Sequence, residues 1–277
     1  MKMDIAMKLG YMKYVARKAG EIIMDLRDKD LDIHYKQDGG TVTKADLRVK
    51  DFVLESLAKE FPDCGLLTEE SEDSKERLGK KGVFIVDEID GTRSFAGKRD
   101  DFSFLCAYIE EGKPVAGVMN EPHNDRMVFA QKGHMPQVIQ GGCTRELEPL
   151  QPVKWDEFKV GYPYNYHGVK YNDMYAALGI TKERKVPYES MGTRMMHIAL
   201  QDVHSIFGLT RNLKEWDIAA GHAILESMGV SITDIKGNPL VYNKKRPNTN
   251  QGILVLHPDI KDTALEIVAD FYHKIDW

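Results

Sequence analysis

Cysteine is scarce in this chain. Cys64, Cys106 and Cys143 are odd in number and stand at no short metal-binding spacing, which argues against a disulfide framework and for a reducing compartment. Long apolar runs are missing as well. Nothing approaches the roughly 20 residues of a membrane-spanning helix. The opening MKMDIAMKLGYMKYVARK carries charges throughout, unlike the apolar core of a signal peptide. A basic excess is also absent. The formal net charge of -5 gives no global attraction to a polyanion, so binding of a nucleic-acid duplex is not expected. The chain contains no internal repeat and no low-complexity segment. These absences point to a cytosolic protein with neither a membrane nor a nucleic-acid duplex as partner.

What is present is an ordinary globular balance, 42% hydrophobic and 29% charged over 277 residues, enough for one large domain or two smaller ones. Apolar residues at helical spacing predict a first helix over about Asp4 to Asp28. The polar, glycine-bearing YKQDGGTVTKAD reads as a loop, and a second helix is expected from near Lys44 to Glu60. Thr43 and Asp46, three apart at its start, resemble a capping box with Asp in the Glu position. From Gly82, the run VFIV ending at Asp87 reads as a buried strand. SFLCAYI, PVAGVM and RMVFAQ follow at short intervals as an antiparallel meander. Residues 140–157 lack periodicity and mark a boundary. Beyond it strands and helices alternate, with helices expected near Tyr171 to Leu178, Thr193 to Gln201, Asp217 to Met228 and Pro258 to His273. The fold class is therefore α+β passing into α/β. We expect a layered αβαβα sandwich of two subdomains, residues 1–145 with an antiparallel sheet and residues 146–277 supplying Asp217.

The chemistry concentrates in GVFIVDEIDGTRSF. A buried strand delivers Asp87 and then Asp90, the hard oxygen ligands that Mg²⁺ prefers. Gly91 permits close backbone approach to a phosphate, and a helix starting near Thr92 would offer free amides. The plainer reading is a turn in which the two acids cap and bend the chain. Upstream, LLTEE carries Glu69 and Glu70, which alone would be a solvated charged face. Downstream, EWDIAAGHAIL places Asp217 at a helix start followed by small residues. That arrangement suits the helix dipole or a close approach to a metal.

In order and wording, the EE pair, the DEIDGT block and WDIAAG resemble the inositol monophosphatase superfamily over roughly residues 35 to 256. The resemblance implies that Glu69, Asp87, Asp90, Asp217 and the carbonyl of Ile89 hold two or three Mg²⁺ ions. Asp46, Thr92 and Glu69 would be the catalytic groups, with Asp46 and Thr92 orienting and deprotonating a water. Asp90, Gly91, Thr92 and Asp217 would also contact the substrate phosphate. It further implies Li⁺ sensitivity and a homodimer. Glu88 stands where the family usually has proline and is not expected to be a ligand. A rival phosphatase class with a DxD nucleophile does not fit the DxxD spacing here.

Within the superfamily, TRSF with Arg93, Lys98 and Arg99, together with GHAI and GNPLVYN, resembles the bisphosphate nucleotidases. The GSSLKF-like segment of that branch is replaced by GTRMMHI, with Arg194 and Met196 at the corresponding places. Arg93, Arg194 and Arg211 are candidate ligands for a small phosphorylated substrate, although the plainer reading leaves Arg194 and Arg211 as surface arginines. The expected activity is hydrolysis of 3′-phosphoadenosine 5′-phosphate. The alternatives are an inositol or sugar phosphatase and, from another class, a non-catalytic binder of a phosphorylated ligand.

Overall fold

The computed structural model describes residues 4–36, 39–164, 169–210, 212–249 and 252–272. The first helix, α1 (Ile5–Leu26), buries Met12, Val15, Ala16, Ala19 and Ile23 on one face, as the spacing predicts. Part of the expected loop is a small hairpin, β1 (His34–Tyr35) against β2 (Thr41–Val42). Strands of two residues carry too little alternation to be read from sequence. Next comes α2 (Lys44–Glu60), with the expected bounds and with Thr43 and Asp46 forming its capping box.

The next elements are β3 (Gly65–Thr68), β4 (Gly82–Asp90), the short helix α3 (Thr92–Ala96), β5 (Ser103–Glu110), β6 (Lys113–Glu121), β7 (Arg126–Gln131), β8 (Gln137–Gln140) and β9 (Cys143–Glu146). Strands β3 to β9 form one sheet in chain order. The meander from β4 onward is antiparallel as expected, but β3 joins the sheet parallel to β4. The meander also runs on through β8 and β9, into the segment taken as a boundary. All four residues of β9 are exposed, so no buried face imprints alternation on it.

The rest of the chain supplies β10 (Val160–Tyr162), α4 (Val169–Ala177), β11 (Lys185–Pro187), α5 (Met191–Ala199), β12 (Ser205–Gly208), α6 (Glu215–Glu226), β13 (Ser231–Asp234), β14 (Ile253–Leu256) and α7 (Lys261–Tyr272). Their strands form a second, mixed sheet in the order β11-β10-β12-β14-β13. Helix α5 opens two residues before the expected Thr193 because Ser190 caps it, accepting the Thr193 amide. A 3₁₀ turn precedes α7, and His273, the expected end of that helix, lies outside the described residues.

The layers follow from the apolar faces. α1 and α2 cover one face of the first sheet at Phe84, Val86, Phe104 and Val118. α5 and α6 fill the space between the sheets, against Ile85, Leu105 and Met119 on one side and Ile206, Ile232 and Val255 on the other. Residues of α4 and α7 pack on the outer face of the second sheet at Phe207, Leu254 and Leu256. The result is an αβαβα sandwich. We propose that its two subdomains join between Glu146, the end of β9, and Val160, where β10 begins.

Candidate active site

All nine residues of β4 are buried, and Asp87 and Asp90 lie at its C-terminal end. In a regular strand, side chains three apart point to opposite faces. Here the pairing with β5 shifts register between Asp87 and Asp90, and both acids line one cavity of about 330 Å³. The strand ends at Gly91, whose φ of 88° belongs to the left-handed region that glycine enters without strain. That turn starts α3 at Thr92, and Gly91 and Thr92 line the same cavity.

The third acid comes from the far half of the chain. Asp217 sits in the first turn of α6, and its Oδ2 accepts the Lys214 amide at 2.6 Å. Because α6 lies between the sheets, this helix end meets the end of β4. Carboxylate oxygens of Asp87, Asp90 and Asp217 all fall within 4.8 Å of one another. The N-terminus of α5 converges on the same point, and the Gly192 amide donates to Asp90 Oδ2. A Cβ at Gly192 would stand 2.6 Å from that oxygen and from the Ser103 hydroxyl oxygen, so glycine permits this approach.

The electrostatics are those of a site that needs cations. Burial, followed by repulsion from Glu69 and Asp90, pushes the Asp87 and Asp217 carboxyls well above the ordinary carboxylate range. Asp90 is pushed up to about 6 by burial, against the pull of the Gly192 amide, Ser190 and Arg194. Among the described residues, nothing hydrogen-bonds the buried Asp87 Oδ1. Three converging, under-neutralised carboxylates with an orphaned oxygen fit a hard divalent ion such as Mg²⁺.

Glu69 lines the cavity but stands outside that trio. Its Oε1 accepts from Lys36 Nζ at 2.8 Å, and the same ammonium reaches Glu70 Oε1 at 2.6 Å. The Ile89 carbonyl accepts the Thr92 hydroxyl at 2.8 Å. Asp46, at the start of α2, lies 3.2 Å from the same hydroxyl, and burial above all pushes it up to about 6. Glu88 has no exposure, and among the described residues neither of its carboxyl oxygens has a hydrogen-bond partner. Burial above all, then Glu70 and Glu69, push it up to about 8, and it does not line the cavity.

The basic candidates separate. Arg194 is 6% exposed, so the surface reading is overturned. It lines the cavity with Nε on the Ser190 carbonyl at 3.1 Å and Nη2 on the Glu189 carbonyl at 3.3 Å. Arg93 is at the cavity too, and its Nη2 donates to the Gly39 carbonyl at 2.7 Å, tying the hairpin down. Lys98 turns away to the Arg27 carbonyl, and Arg99 lies over the Tyr164 ring. Arg211 lies outside the described residues.

Sequence reasoning missed Lys36, Ser190 and Gly192. Ser190 carries a readable signal, a cap residue three before Thr193. Lys36 sits in a polar stretch where no periodicity distinguishes it.

Comparison with known proteins agrees with this geometry. The model of the inositol monophosphatase family matches residues 10–269. The 3′(2′),5′-bisphosphate nucleotidase CysQ of Shigella flexneri is 28% identical over 87% of this chain and 96% of its own length. The inositol-1-monophosphatase of Bacillus subtilis is 24% identical over 90% and 92%. Among solved structures, the IMPase of Thermotoga maritima superposes with a TM-score of 0.79 at 21% identity, covering 97% of this chain and 99% of that one.

Proposed function

Since the chain belongs to the inositol monophosphatase family and is therefore a phosphatase, we propose that it is a 3′(2′),5′-bisphosphate nucleotidase acting on 3′-phosphoadenosine 5′-phosphate. The observation that carries this choice is Arg194, a buried guanidinium fixed at the edge of the cavity that holds the acids. One phosphate would meet the cations held by the acids, and a second would find a fixed cation beside it. The CysQ relatives support the same choice. Inositol phosphate hydrolysis is the second reading, supported by the Bacillus subtilis relative.

Asp87, Asp90, Asp217, Glu69 and the Ile89 carbonyl would hold two or three Mg²⁺ ions. When bound, the ions supply Lewis-acid activation of water and neutralise charge growing on the phosphate. The remaining work belongs to the chain. Gly91 and Thr92 receive the phosphate at the start of α3, and Arg93 lines the mouth. The Thr92 hydroxyl passes its proton to Asp46 Oδ1 and accepts one from the attacking water, so the proton comes to rest on Asp46. Arg194 orients the distal anionic group. We further propose a homodimer and inhibition by Li⁺.

Phosphate release measured with Mg²⁺ on 3′-phosphoadenosine 5′-phosphate, inositol 1-phosphate and fructose 1,6-bisphosphate tests the proposal. The nucleotide should show the highest kcat/KM, and Arg194→Met should lower it selectively. Preference for inositol 1-phosphate would establish the second reading. Hydrolysis of none of the three would overturn both readings and leave another phosphate ester as the substrate.

A further inference from the structure

Arg77 is 1% exposed, which is unusual for a guanidinium outside a binding site. It lies in a 3₁₀ turn between β3 and β4. Its Nε and Nη2 bind the two oxygens of Asp73 at 2.9 and 2.6 Å, a fork that fixes its plane. The other donors cross to a distant segment. Nη1 donates to Asn243 Oδ1 at 2.6 Å and Nη2 to the Lys244 carbonyl at 3.0 Å, while Asn243 Nδ2 returns to the Arg77 carbonyl at 3.2 Å.

The other side of that segment is bound to α6. Glu215, the first residue of the helix and 1% exposed, accepts the Asn243 amide at 2.7 Å and the Lys244 amide at 3.0 Å. The Glu215 amide donates to the Pro247 carbonyl at 2.8 Å, and Thr249 and Leu213 are joined at 2.9 Å. Asn243 is thus a node, its side chain held by Arg77 and its amide by Glu215. Arg77 is also seated against β3, where a Cβ on Gly65 would stand 2.6 Å from Arg77 Cβ. Glu69 follows the end of β3 directly, and Asp217 follows Glu215 by two residues.

We infer that Arg77 is a positioning residue for the metal site, holding the segment that follows Glu69, through Asp73, against the Asp217-bearing start of α6, through Asn243 and Glu215. The inference rests on the reading that these acids hold metal. Arg77 touches neither substrate nor ion in this scheme. It acts by fixing two ligand-bearing segments that share no covalent neighbourhood. Loss of a group that hydrogen-bonds a ligand directly typically costs about 10- to 100-fold in metal affinity, and Arg77, which reaches the ligands only through Asp73, Asn243 and Glu215, should lie at the lower end of that range.

The test is calorimetric titration of Mg²⁺ into metal-free protein, well below the melting temperature, for wild type, Arg77→Met, Arg77→Lys, Asn243→Ala and Asp217→Asn. Arg77→Met and Asn243→Ala should each bind Mg²⁺ at least about tenfold more weakly, with no further loss when combined. Arg77→Lys should recover only part, because an ammonium cannot span the fork. Saturating Mg²⁺ should restore kcat in the Arg77 and Asn243 variants. If Arg77→Met does not fold, Asn243→Ala keeps the Arg77–Asp73 pair and tests the same link. Melting temperatures that fall while Mg²⁺ affinity stays within twofold of wild type would overturn the inference. Undiminished binding by Asp217→Asn would overturn the metal-site reading instead.

Discussion

The two oxygens of Asp46 serve two partners. Oδ1 faces the Thr92 hydroxyl at 3.2 Å, while Oδ2 receives the Thr43 amide at 2.8 Å and the Thr43 hydroxyl at 2.5 Å. Helix capping and the relay geometry, alternatives when only sequence is considered, coexist in one carboxylate. Asp46→Asn should therefore cost about 1 kcal/mol of stability and also lower kcat by about 100-fold or more. Thr92→Ala should lower kcat alike with little change in KM, and the double variant should be no slower than the worse single one. Additive losses in that cycle would exclude a shared relay.

The same carboxylate sets a pH dependence. Burial lifts Asp46 to about 6 against the pull of the Thr43 and Thr92 bonds. A base works only when ionised, so turnover should fall as pH drops through about 6. Thr43→Ala removes one of the bonds that lower this value, and its acid limb should lie at higher pH in a kcat profile. An unmoved limb would assign it to another group.

Gly192→Ala places a methyl against Asp90 Oδ2, Leu105 Cδ2 and Ser103 Oγ, each 2.6 Å from the new Cβ. These neighbours are buried and the amide of the same residue must stay on Asp90, so neither side can retreat. We expect a loss of about 1–3 kcal/mol in thermal unfolding and a fall in Mg²⁺-dependent turnover. Wild-type activity in a variant that melts normally would show that α5 yields at this point.

Metal should matter to stability through Asp87, Asp90 and Asp217. Their mutual repulsion is relieved by a bound cation, so Mg²⁺ should raise the melting temperature in a concentration-dependent way and EDTA should reverse it. Asp90→Asn should melt at or above wild type without metal and lose most of the Mg²⁺ response. Its activity should drop by on the order of 10³-fold. An equal Mg²⁺ response in the variant would remove Asp90 from the ligand set.

His222 predicts a stability trend of its own. Buried on α6, with Nδ1 at 2.8 Å from the Tyr242 hydroxyl, it is lowered by desolvation from 6.5 to about 4. The unfolded chain binds this proton more readily than the folded one, so protonation favours unfolding. Stability tied to His222 is intact above about pH 6.5 and is lost progressively as pH falls to about 4. His222→Gln should flatten denaturant-measured stability across that window by about 3 kcal/mol. Parallel curves would show that the imidazole takes up its proton equally in the folded and unfolded states.

Much of this was legible in the residues, for physical reasons that differ by element. α1 and α2 each bury one face, so their period survives in the sequence. The apolar run of β4 announced a strand covered on both sides, and its terminal acids stood out against it. β3 was hidden because four residues flanked by acids look like a polar surface. α6 was placed by Asp217 rather than by periodicity, since Ile218, Ala219, Ala220, Ile224 and Leu225 are buried around most of the helix. Nothing local could show that Lys36 would reach Glu69 and Glu70, or that Arg194 would be buried over the cavity, because those contacts arise only when separate segments meet.

The position of α6 between the sheets also bears on kinetics. Asp90 and Asp217 stand 127 residues apart, and their meeting requires α6 to dock on β4, β5 and β6 of the first sheet. Such non-local pairing is slow, and here it is a precondition for the metal site rather than a later refinement. Mg²⁺ capture during refolding should accordingly trail the return of helix and strand signal. Trp216, beside Asp217 and packed against the central core, offers a native fluorophore at the place where that last closure occurs.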